Sequence, residues 1–494
     1  MLSQFALLIL GFFSQRAMNL YMGAELVGMN GVISNVINIL SVTELGISTA
    51  IVYHLYGALA RKDEAEIASL MNLYRKAYHV FAVLVFAAEM AVLPFIHLFM
   101  KNNSYSLSYI RVLYAMWLVR TVLSYLLTYR KSLLIADQKE YIASITGLIL
   151  NVVSYLAIIL LVTWEQNYLL ALGIGTVTEV VLNIWISWYV EQKYPFLRQR
   201  RKEKSTSSLT KRIVRDLKSL FISRISEKML YCTDNLIISG FIGVGTVGRY
   251  ANYCMITQAI SNILTILANT IQPTVGDYFT EKNRQRNYEI LRQLTFGFFC
   301  IASVVSVGLF SLITPFVRDI WLGPSYELGW GITVFCIVVL LVRIMGLPLS
   351  LVMGVTGLFE KEKNVGASSA LLNLIVSLAL VKPYGMAGVL LGTLLSYLLQ
   401  ILYRYIIYFR DFLEMPGEAL RYAQDIGEYL AVIAGEVLLM QKIVPLIYGA
   451  GGMLLFCVCF LLCIAIPLLL DLVIFGRGWR LQSIVTMVKG MRKA

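Results

Sequence analysis

Apolar runs of about twenty residues, separated by short polar breaks, follow one another along almost the whole chain. A helix needs a run of this length to cross a hydrocarbon core of about 30 Å. Backbone groups in lipid must be bonded within their own segment, so we expect helices rather than strands. About fourteen spans are predicted, at 3–22, 31–57, 78–100, 107–128, 142–163, 168–190, 219–241, 250–272, 294–316, 331–353, 365–381, 386–408, 427–447 and 451–475.

The composition places the chain among polytopic membrane proteins. Of its 494 residues, 58% are hydrophobic and 14% are charged, and the mean hydropathy of +0.73 is too high for a soluble protein of this length. The first span begins next to Met1 and lacks a small-residue cleavage site, so we read it as a retained helix. The cysteines and histidines lack metal-ligand spacing, so we predict neither a metal site nor a cofactor.

Charge orients the predicted spans. Lys and Arg concentrate on alternate connections, above all in the loop 193–218, and the opposite connections carry only Lys101, Arg318, Lys382 and Lys442. By the positive-inside rule, both termini and the basic loop are predicted to be cytoplasmic. Segments 207–221 and 477–493 read as amphipathic helices lying on the phospholipid surface. The net charge of +13 therefore reflects topology, and we predict no nucleic-acid partner.

The second half of the chain repeats the first at an offset of about 220 residues. GAELVGMN (23–30) corresponds to GVGTVGRY (243–250), and Leu118–Arg120 corresponds to Leu341–Arg343. Six spans in each copy keep the same orientation, so we expect two parallel repeats related by an axis along the membrane normal. The predicted division is an N-terminal lobe (1–192), a basic linker (193–218), a C-terminal lobe (219–410), two extra helices (411–476) and a basic tail (477–494).

Two arginines lie deep inside apolar spans. An arginine at mid-helix costs about 2.5–3.5 kcal/mol on insertion scales, so Arg120 and Arg343 must face protein or water. One interpretation places them on equivalent walls of a central cavity between the repeats. The other makes each of them half of an internal ion bridge, and the sequence leaves both open.

Polar stripes mark further cavity walls. Around the seventh span, Arg224, Lys228, Tyr231 and Asn235 share one helical face, with local Arg224–Glu227 pairing as the alternative. The second and eighth spans carry polar side chains that either contact sugars or bond other helices; those predicted to contact sugars include Asn38, Gln258 and Asn262. Arginine binds phosphate bidentately, so Arg16 joins the cationic set as a predicted phosphate ligand. Glu44 and Asp234 either couple an ion or pair with nearby arginines.

The segments 20–63 (LYMGAELVGMN and onward), 70–80 (LMNLYRKAYHV), 233–256 (TDNLIISGFIGVGTVGRYANYCMI) and 276–283 (GDYFTEKN) carry a family resemblance. The chain resembles the bacterial Wzx-type polysaccharide-biosynthesis flippases of the multidrug/oligosaccharidyl-lipid/polysaccharide exporter superfamily. The resemblance implies two six-helix lobes around a cavity in the bacterial inner membrane. It also implies transport of an undecaprenyl-pyrophosphate-linked oligosaccharide, with polysaccharide polymerase and glycosyltransferases as partners. Arg16 resembles an arginine of the family's first helix, and the last two helices would line a lipid-tail groove.

The expected mechanism is alternating access by a flippase and not enzymatic catalysis. Pyrophosphate would engage Arg224 and Lys228 first, and Arg120 and Arg343 would hold it while the lobes rock. The membrane potential, or a proton or sodium gradient, would drive export. A drug/cation antiporter predicts a carboxylate-dominated cavity, and a membrane enzyme would need a sizeable external loop that the chain does not offer. A flippase for lipid II or a teichoic-acid precursor remains open.

Overall fold

The structure is a computed structural model that describes residues 2–41, 44–198, 228–229, 232–279, 283–358, 361, 363–449 and 451–476. Within these ranges the regular secondary structure is entirely helical. The helices of the first half are α1 (Leu2–Ala17), α2 (Gly23–Leu40), α3 (Glu44–Ala60), α4 (Glu64–Val92), α5 (Leu107–Thr128), α6 (Lys131–Ala136), α7 (Glu140–Trp164), α8 (Tyr168–Lys193) and α9 (232–241). Those that follow are α10 (Val244–Tyr278), α11 (Arg284–Pro315), α12 (Trp330–Val355), α13 (Lys363–Tyr384), α14 (Met386–Ile407), α15 (Pro416–Tyr448) and α16 (Met453–Phe475).

The chain is a multi-pass membrane protein. Within the described ranges, 11 helical segments are long and apolar enough to cross a bilayer. The predicted all-α class is confirmed, whereas the count of about fourteen spans is not confirmed. Several helices continue as short stretches of other helix types, including a 3-10 turn at Leu93–Phe99 and π turns at Phe316–Trp321 and Tyr408–Leu413.

Three helices begin well before the apolar runs that predicted them. α4, α11 and α15 each start about ten or more residues ahead of the predicted spans 78–100, 294–316 and 427–447. Local capping fixes two of these starts, because Asp63 accepts a hydrogen bond from the Glu66 amide and Asn283 accepts one from the Arg286 amide. Hydropathy detects only the apolar part of a helix, which explains the shortfall.

The predicted span 31–57 was wrong as a single helix. The structure has two helices there, α2 ending at Leu40 and α3 beginning at Glu44. α2 also begins earlier than predicted, at Gly23, directly after the π turn Met18–Met22 that extends α1. A nearly continuous apolar pattern does not show where one helix ends and the next begins, although Ser41 and Thr43 interrupt it in the sequence.

The chain divides into two compact units, Met1–Gly248 and Arg249–Ala494. Unit 1 has an aromatic-rich core in which Tyr74 and Tyr78 of α4 pack with Tyr125 of α5. Unit 2 has a core contributed by α11, α12, α14 and α15, in which Tyr288 and Tyr408 are almost fully buried. The helix 232–241, predicted to open the C-terminal lobe, falls within the residue range of unit 1.

A very close approach of two backbones in unit 1 joins α2 to the start of α10. A Cβ atom added at Gly28 would lie 1.9 Å from the Val244 carbonyl oxygen, and one at Gly248 would lie 1.8 Å from the Ala24 carbonyl oxygen. Only glycine fits at either position, because any side chain would overlap the opposite main chain. Gly28 corresponds to Gly248 and Ala24 to Val244 in the sequence repeat, so the matched segments meet in a reciprocal contact.

Candidate functional site

A polar network surrounds Arg120 inside unit 1. Its Nε lies 2.6 Å from Oε2 of Glu179 on α8, and its guanidinium lies 5.1 Å from the ring centroid of Trp117, one turn earlier on α5. The two charged side chains are 30% and 32% exposed, so the pair is neither sealed in the core nor free in solvent. Arg120 therefore has the ion-bridge partner that one interpretation of the sequence required.

The same network reaches α2 through Asn30. Its side-chain oxygen accepts hydrogen bonds from Trp117 Nε1 at 2.8 Å and from the Tyr168 hydroxyl at 2.6 Å. Three helices thus fix the aromatic ring over which Arg120 lies. Sequence reasoning missed Glu179, Asn30 and Tyr168. The signal for Glu179 was present, because it is a lone carboxylate in the apolar run 168–190.

Arg343 has a different environment in unit 2. It is half-buried on α12, and its guanidinium lies 5.6 Å from the ring centroid of Tyr397 on α14. A guanidinium at this distance from an aromatic ring is held by a cation–π interaction. Because Arg120 and Arg343 belong to different units, the prediction that they share a cavity stays a prediction.

Helix α10 has two chemically distinct faces. Gln258 and Asn262 are exposed, and Gln258 Nε2 donates a hydrogen bond to Asn262 Oδ1 at 2.9 Å. Asn269 is exposed two turns further along the helix. Exposed amides on a membrane-spanning helix are stable only where water or protein meets them, because hydrocarbon offers no hydrogen bonds. This face therefore requires water or polar protein groups around it.

Part of the remainder of α10 lines an apolar groove. Ile256 and Ile260 face α11 and α16 across a cavity of about 350 Å³. Gly308 of α11 lies in its wall and would meet nothing within 4 Å if it carried a Cβ atom. The other lining residues are apolar or cysteine, namely Val304, Val305, Leu309, Leu312, Ile313, Phe316, Phe456, Phe460, Cys463 and Ile464.

Two predicted ligands at the start of the chain lie on α1 and α2. Arg16 is exposed near the end of α1, and Asn38 is half-buried on α2, where its Nδ2 donates to Ser34 Oγ at 3.4 Å. The Asn38 contact lies within one helix and leaves the sugar-contact interpretation untested. Glu44 is the first residue of α3, and its side chain lies outside the described part of the chain.

The polar stripe of the seventh span is described only in part. Lys228 is half-buried, Asp234 is 6% exposed, and the buried Oδ1 of Asn235 has no hydrogen-bond partner among the described residues. Arg224 and Tyr231 lie outside the described residues, as do most of the predicted linker and the predicted basic tail. Within the described ranges, no group of three or more histidine, cysteine or acidic side chains could hold a metal ion.

Known structures share this fold. A lipid II flippase, MurJ, in an inward closed conformation superimposes with a TM-score of 0.68 at 16% identity, covering 96% of this chain and 98% of that one. An inward-facing multidrug resistance transporter of the MATE family superimposes with a TM-score of 0.62 at 12% identity, covering 83% of this chain and 94% of that one. A third similar structure, the MATE multidrug transporter DinF-BH, has a TM-score of 0.56 at 16% identity and covers 83% and 93%.

The fold is thus shared with membrane transporters and flippases. The model of the polysaccharide biosynthesis protein family matches residues 1–279, more than half of the chain. The chain belongs to the polysaccharide biosynthesis protein family. No curated protein sequence matches it.

Proposed function

We propose that the protein is a flippase that carries an undecaprenyl-pyrophosphate-linked oligosaccharide from the inner to the outer leaflet by alternating access. The observation that carries the proposal is the two-faced helix α10. Its amides Gln258 and Asn262 are exposed on one face, and its Ile256 and Ile260 line an apolar groove on another. Such a helix suits a cargo that joins a sugar head group to a hydrocarbon tail.

The polar face of α10 would lower the main energetic cost of flipping. Sugar hydroxyls and phosphates that enter hydrocarbon unpaired cost several kcal/mol each. Amide side chains supply both donors and acceptors, so Gln258, Asn262 and Asn38 are the proposed sugar contacts. Tyr231 and Asn235 complete the proposed set on the seventh span.

The cations would bind the pyrophosphate in sequence. In the proposed cycle it engages Arg224 and Lys228 first and then Arg120 and Arg343, with Arg16 as a further ligand. Glu179 holds the Arg120 guanidinium in place through one hydrogen bond until a phosphate, which can accept two, displaces it. The carboxylate thereby removes the cost of an unpaired arginine in the empty protein.

The apolar groove would hold the polyprenyl tail. It lies against α16, one of the two helices beyond the sequence repeat, as expected for helices added for a lipid cargo. An interior-negative potential of about 100 mV would favour outward movement of two negative charges by about 4–5 kcal/mol. We therefore propose the membrane potential as a driving force, with Glu44 and Asp234 as candidate proton or sodium ligands.

The test is transport in proteoliposomes loaded with a labelled polyprenyl-pyrophosphate oligosaccharide. Wild type is expected to flip it, and the double variant Arg120→Ala/Arg343→Ala is expected to lose most of the rate. Undiminished flipping by that variant would remove the pair from the mechanism. No flipping by correctly folded wild type, across several oligosaccharides, would contradict the proposed cargo.

A second pair of variants tests the groove. Gly308→Trp fills the cavity wall, and Gly297→Trp places the same side chain on α11 at another position that meets nothing within 4 Å. We expect the first to slow flipping of long-chain substrate more than that of a short-chain analogue. The second should affect both substrates alike. Equal effects from the two variants would argue against a tail in the groove.

Lipid II or a teichoic-acid precursor is the second candidate cargo. Its support is the fold match to a lipid II flippase over nearly the full length of both chains. Competition in the same proteoliposomes separates the candidates. If unlabelled lipid II inhibits more strongly than the lipid-linked oligosaccharide itself, the second candidate replaces the first.

A further inference from the structure

Two acidic side chains lie buried together where α11, α15 and α16 pack in unit 2. Glu436 of α15 is 3% exposed and Asp471 of α16 is 4% exposed. The Ser303 hydroxyl of α11 donates to Glu436 Oε2 at 2.6 Å. Phe299 of α11 packs on Phe475 of α16, and Phe316 packs on Phe456, so the two helices run antiparallel. Asp471, one turn before Phe475, therefore lies level with Ser303, one turn after Phe299, and beside Glu436.

The hydrogen bonds at this contact do not satisfy two carboxylates. Within the described residues, neither Asp471 oxygen has a hydrogen-bond partner, and Glu436 Oε1 has none. One serine hydroxyl supplies a single proton, which Glu436 already takes. The Asp471 carboxyl is therefore a buried polar group aimed at a second acid.

No cation in the described part of the chain neutralises the pair. The groups that act on Asp471 and Glu436 are each other, Ser303 and, from α11, the Cys300 thiol. Tyr429 is the next titratable side chain towards the start of α15 at this contact, and its ring stacks on Phe299. On α15, Lys442 is exposed six residues after Glu436, or about 9 Å along the axis. The cation that bonds α11 to α15 is Arg292, whose contact with Asp425 lies eleven residues earlier on both helices, or about 16 Å along the axis.

Two negative charges this close in a low-dielectric interior cannot both persist without a compensating ion. Pairs of carboxyl groups in such positions share a proton, because ionisation of both brings like-charge repulsion on top of desolvation. A metal ion is a poor alternative, since no cluster of three or more ligands of the usual kinds exists within the described residues. The proton is the ligand that this geometry accommodates.

We propose that Glu436 and Asp471 form a proton-binding site, in which the two carboxyl groups hold one proton between them and Ser303 orients Glu436. Loss of that proton would leave two like charges between α15 and α16 and weaken the packing of both helices on α11. Because α11 and α16 also line the apolar groove, binding or loss of the proton would change how these two helices pack along the groove wall. The inference does not depend on the identity of the cargo.

Infrared difference spectroscopy of the full-length protein in lipid nanodiscs tests the site directly. Spectra at mildly acidic and alkaline pH should differ by the carbonyl stretch of a protonated carboxyl group, which disappears as the proton leaves. Asp471→Asn/Glu436→Gln should lose this band. In Glu436→Gln alone, the band of the remaining acid should disappear at a lower pH than in wild type. That acid no longer has a second negative charge beside it, so it gives up its proton more easily.

The control is Glu428→Gln, an exposed acid two turns earlier on α15, which should leave the buried band unchanged. Two infrared measurements on the wild-type protein are enough to contradict the proposal. Absence of a pH-dependent carboxyl band would show that the pair does not titrate. Disappearance of the band on adding sodium or potassium at fixed pH would show a cation site instead. A band that survives unchanged in the double variant would place the proton elsewhere.

Discussion

Two of the polar contacts between helices α11 and α15 have the same sequence separation and differ in charge. Arg292 bonds Asp425 through two hydrogen bonds, at 2.6 and 3.0 Å, and Ser303 bonds Glu436 at 2.6 Å. The sequence separation is 133 residues in both cases. The first contact joins a cation to an anion, whereas the second joins a neutral hydroxyl to an acid that has another acid, Asp471, beside it.

The difference shows how a membrane helix pair treats buried charge. An ion pair with two parallel hydrogen bonds compensates its own desolvation and needs nothing from solvent. The Arg120–Glu179 pair in unit 1 also joins a cation to an anion, through one hydrogen bond and with both side chains about one-third exposed. A carboxyl pair without a cation needs a bound ligand, such as a proton, to neutralise its charge. The first arrangement therefore favours a fixed structure, and the second favours a site that responds to protons.

Arg292→Ala is expected to have the largest effect on stability. The substitution leaves the Asp425 side chain, which is 8% exposed, without its cation, and breaking a buried pair from one side costs about 3–5 kcal/mol. Thermal unfolding in nanodiscs should show a clear loss. The control Arg421→Ala removes a surface pair with Glu418 and should stay within about 0.5 kcal/mol. Equal losses from the two variants would contradict the contrast between buried and exposed pairs.

The loss of stability in Ser303→Ala depends on the charge of Glu436, which accepts the Ser303 hydrogen bond. A hydrogen bond to a charged group contributes about 1.5–3 kcal/mol, and one between neutral groups about 1 kcal/mol. Because we propose that the carboxyl pair holds one proton and so keeps one negative charge, we expect a loss between these two values near neutral pH and a larger loss in alkali, where the proton leaves. Thr295→Val, which removes a buried α11 hydroxyl bonded to the Tyr422 hydroxyl, is the matched neutral reference. A Ser303→Ala loss that does not change with pH relative to this reference would contradict the proposed proton.

Substitution of Asp137, a paired acid in the connection between α6 and α7, should have the smallest effect on stability. Burial alone would raise its pKa, but hydrogen bonds from Lys139 and Tyr194 outweigh burial and lower the pKa below its usual 3.8. The stabilisation is therefore present at neutral pH and is lost as the pH falls through that lowered value. Asp137→Asn should cost about 1 kcal/mol at pH 7 and progressively less in acid. A cost that grows in acid would reverse the assigned sign.

Much of the fold was predictable from local pattern. The apolar runs placed the centres of most membrane helices, and the repeat matched residues 23–30 to 243–250, but it did not predict that these segments meet at Gly28 and Gly248. Helix ends were less predictable, because caps such as Asn283 act through one hydrogen bond that hydropathy does not register. The break between α2 and α3 was missed because the apolar pattern continues on both sides of it.

The site was predictable only in part. Charge inside apolar runs singled out Arg120 and Arg343, since such residues cannot face lipid. Their surroundings could not be predicted, because Glu179 lies 59 residues from Arg120 and Tyr397 lies 54 residues from Arg343. Both Leu-Val-Arg segments place a guanidinium beside an aromatic ring, Trp117 for Arg120 and Tyr397 for Arg343, and Arg120 also pairs with Glu179.

The sequence by itself determined the membrane environment, the helical class and the residues whose charge requires an explanation. These properties follow from the free energy of moving each side chain between water and hydrocarbon, which depends on composition and spacing along one segment. Only the tertiary structure decided which charges are neutralised, because partners come from other helices. Arg292 meets Asp425, whereas Glu436 meets Asp471, and nothing in either local segment distinguishes the two outcomes.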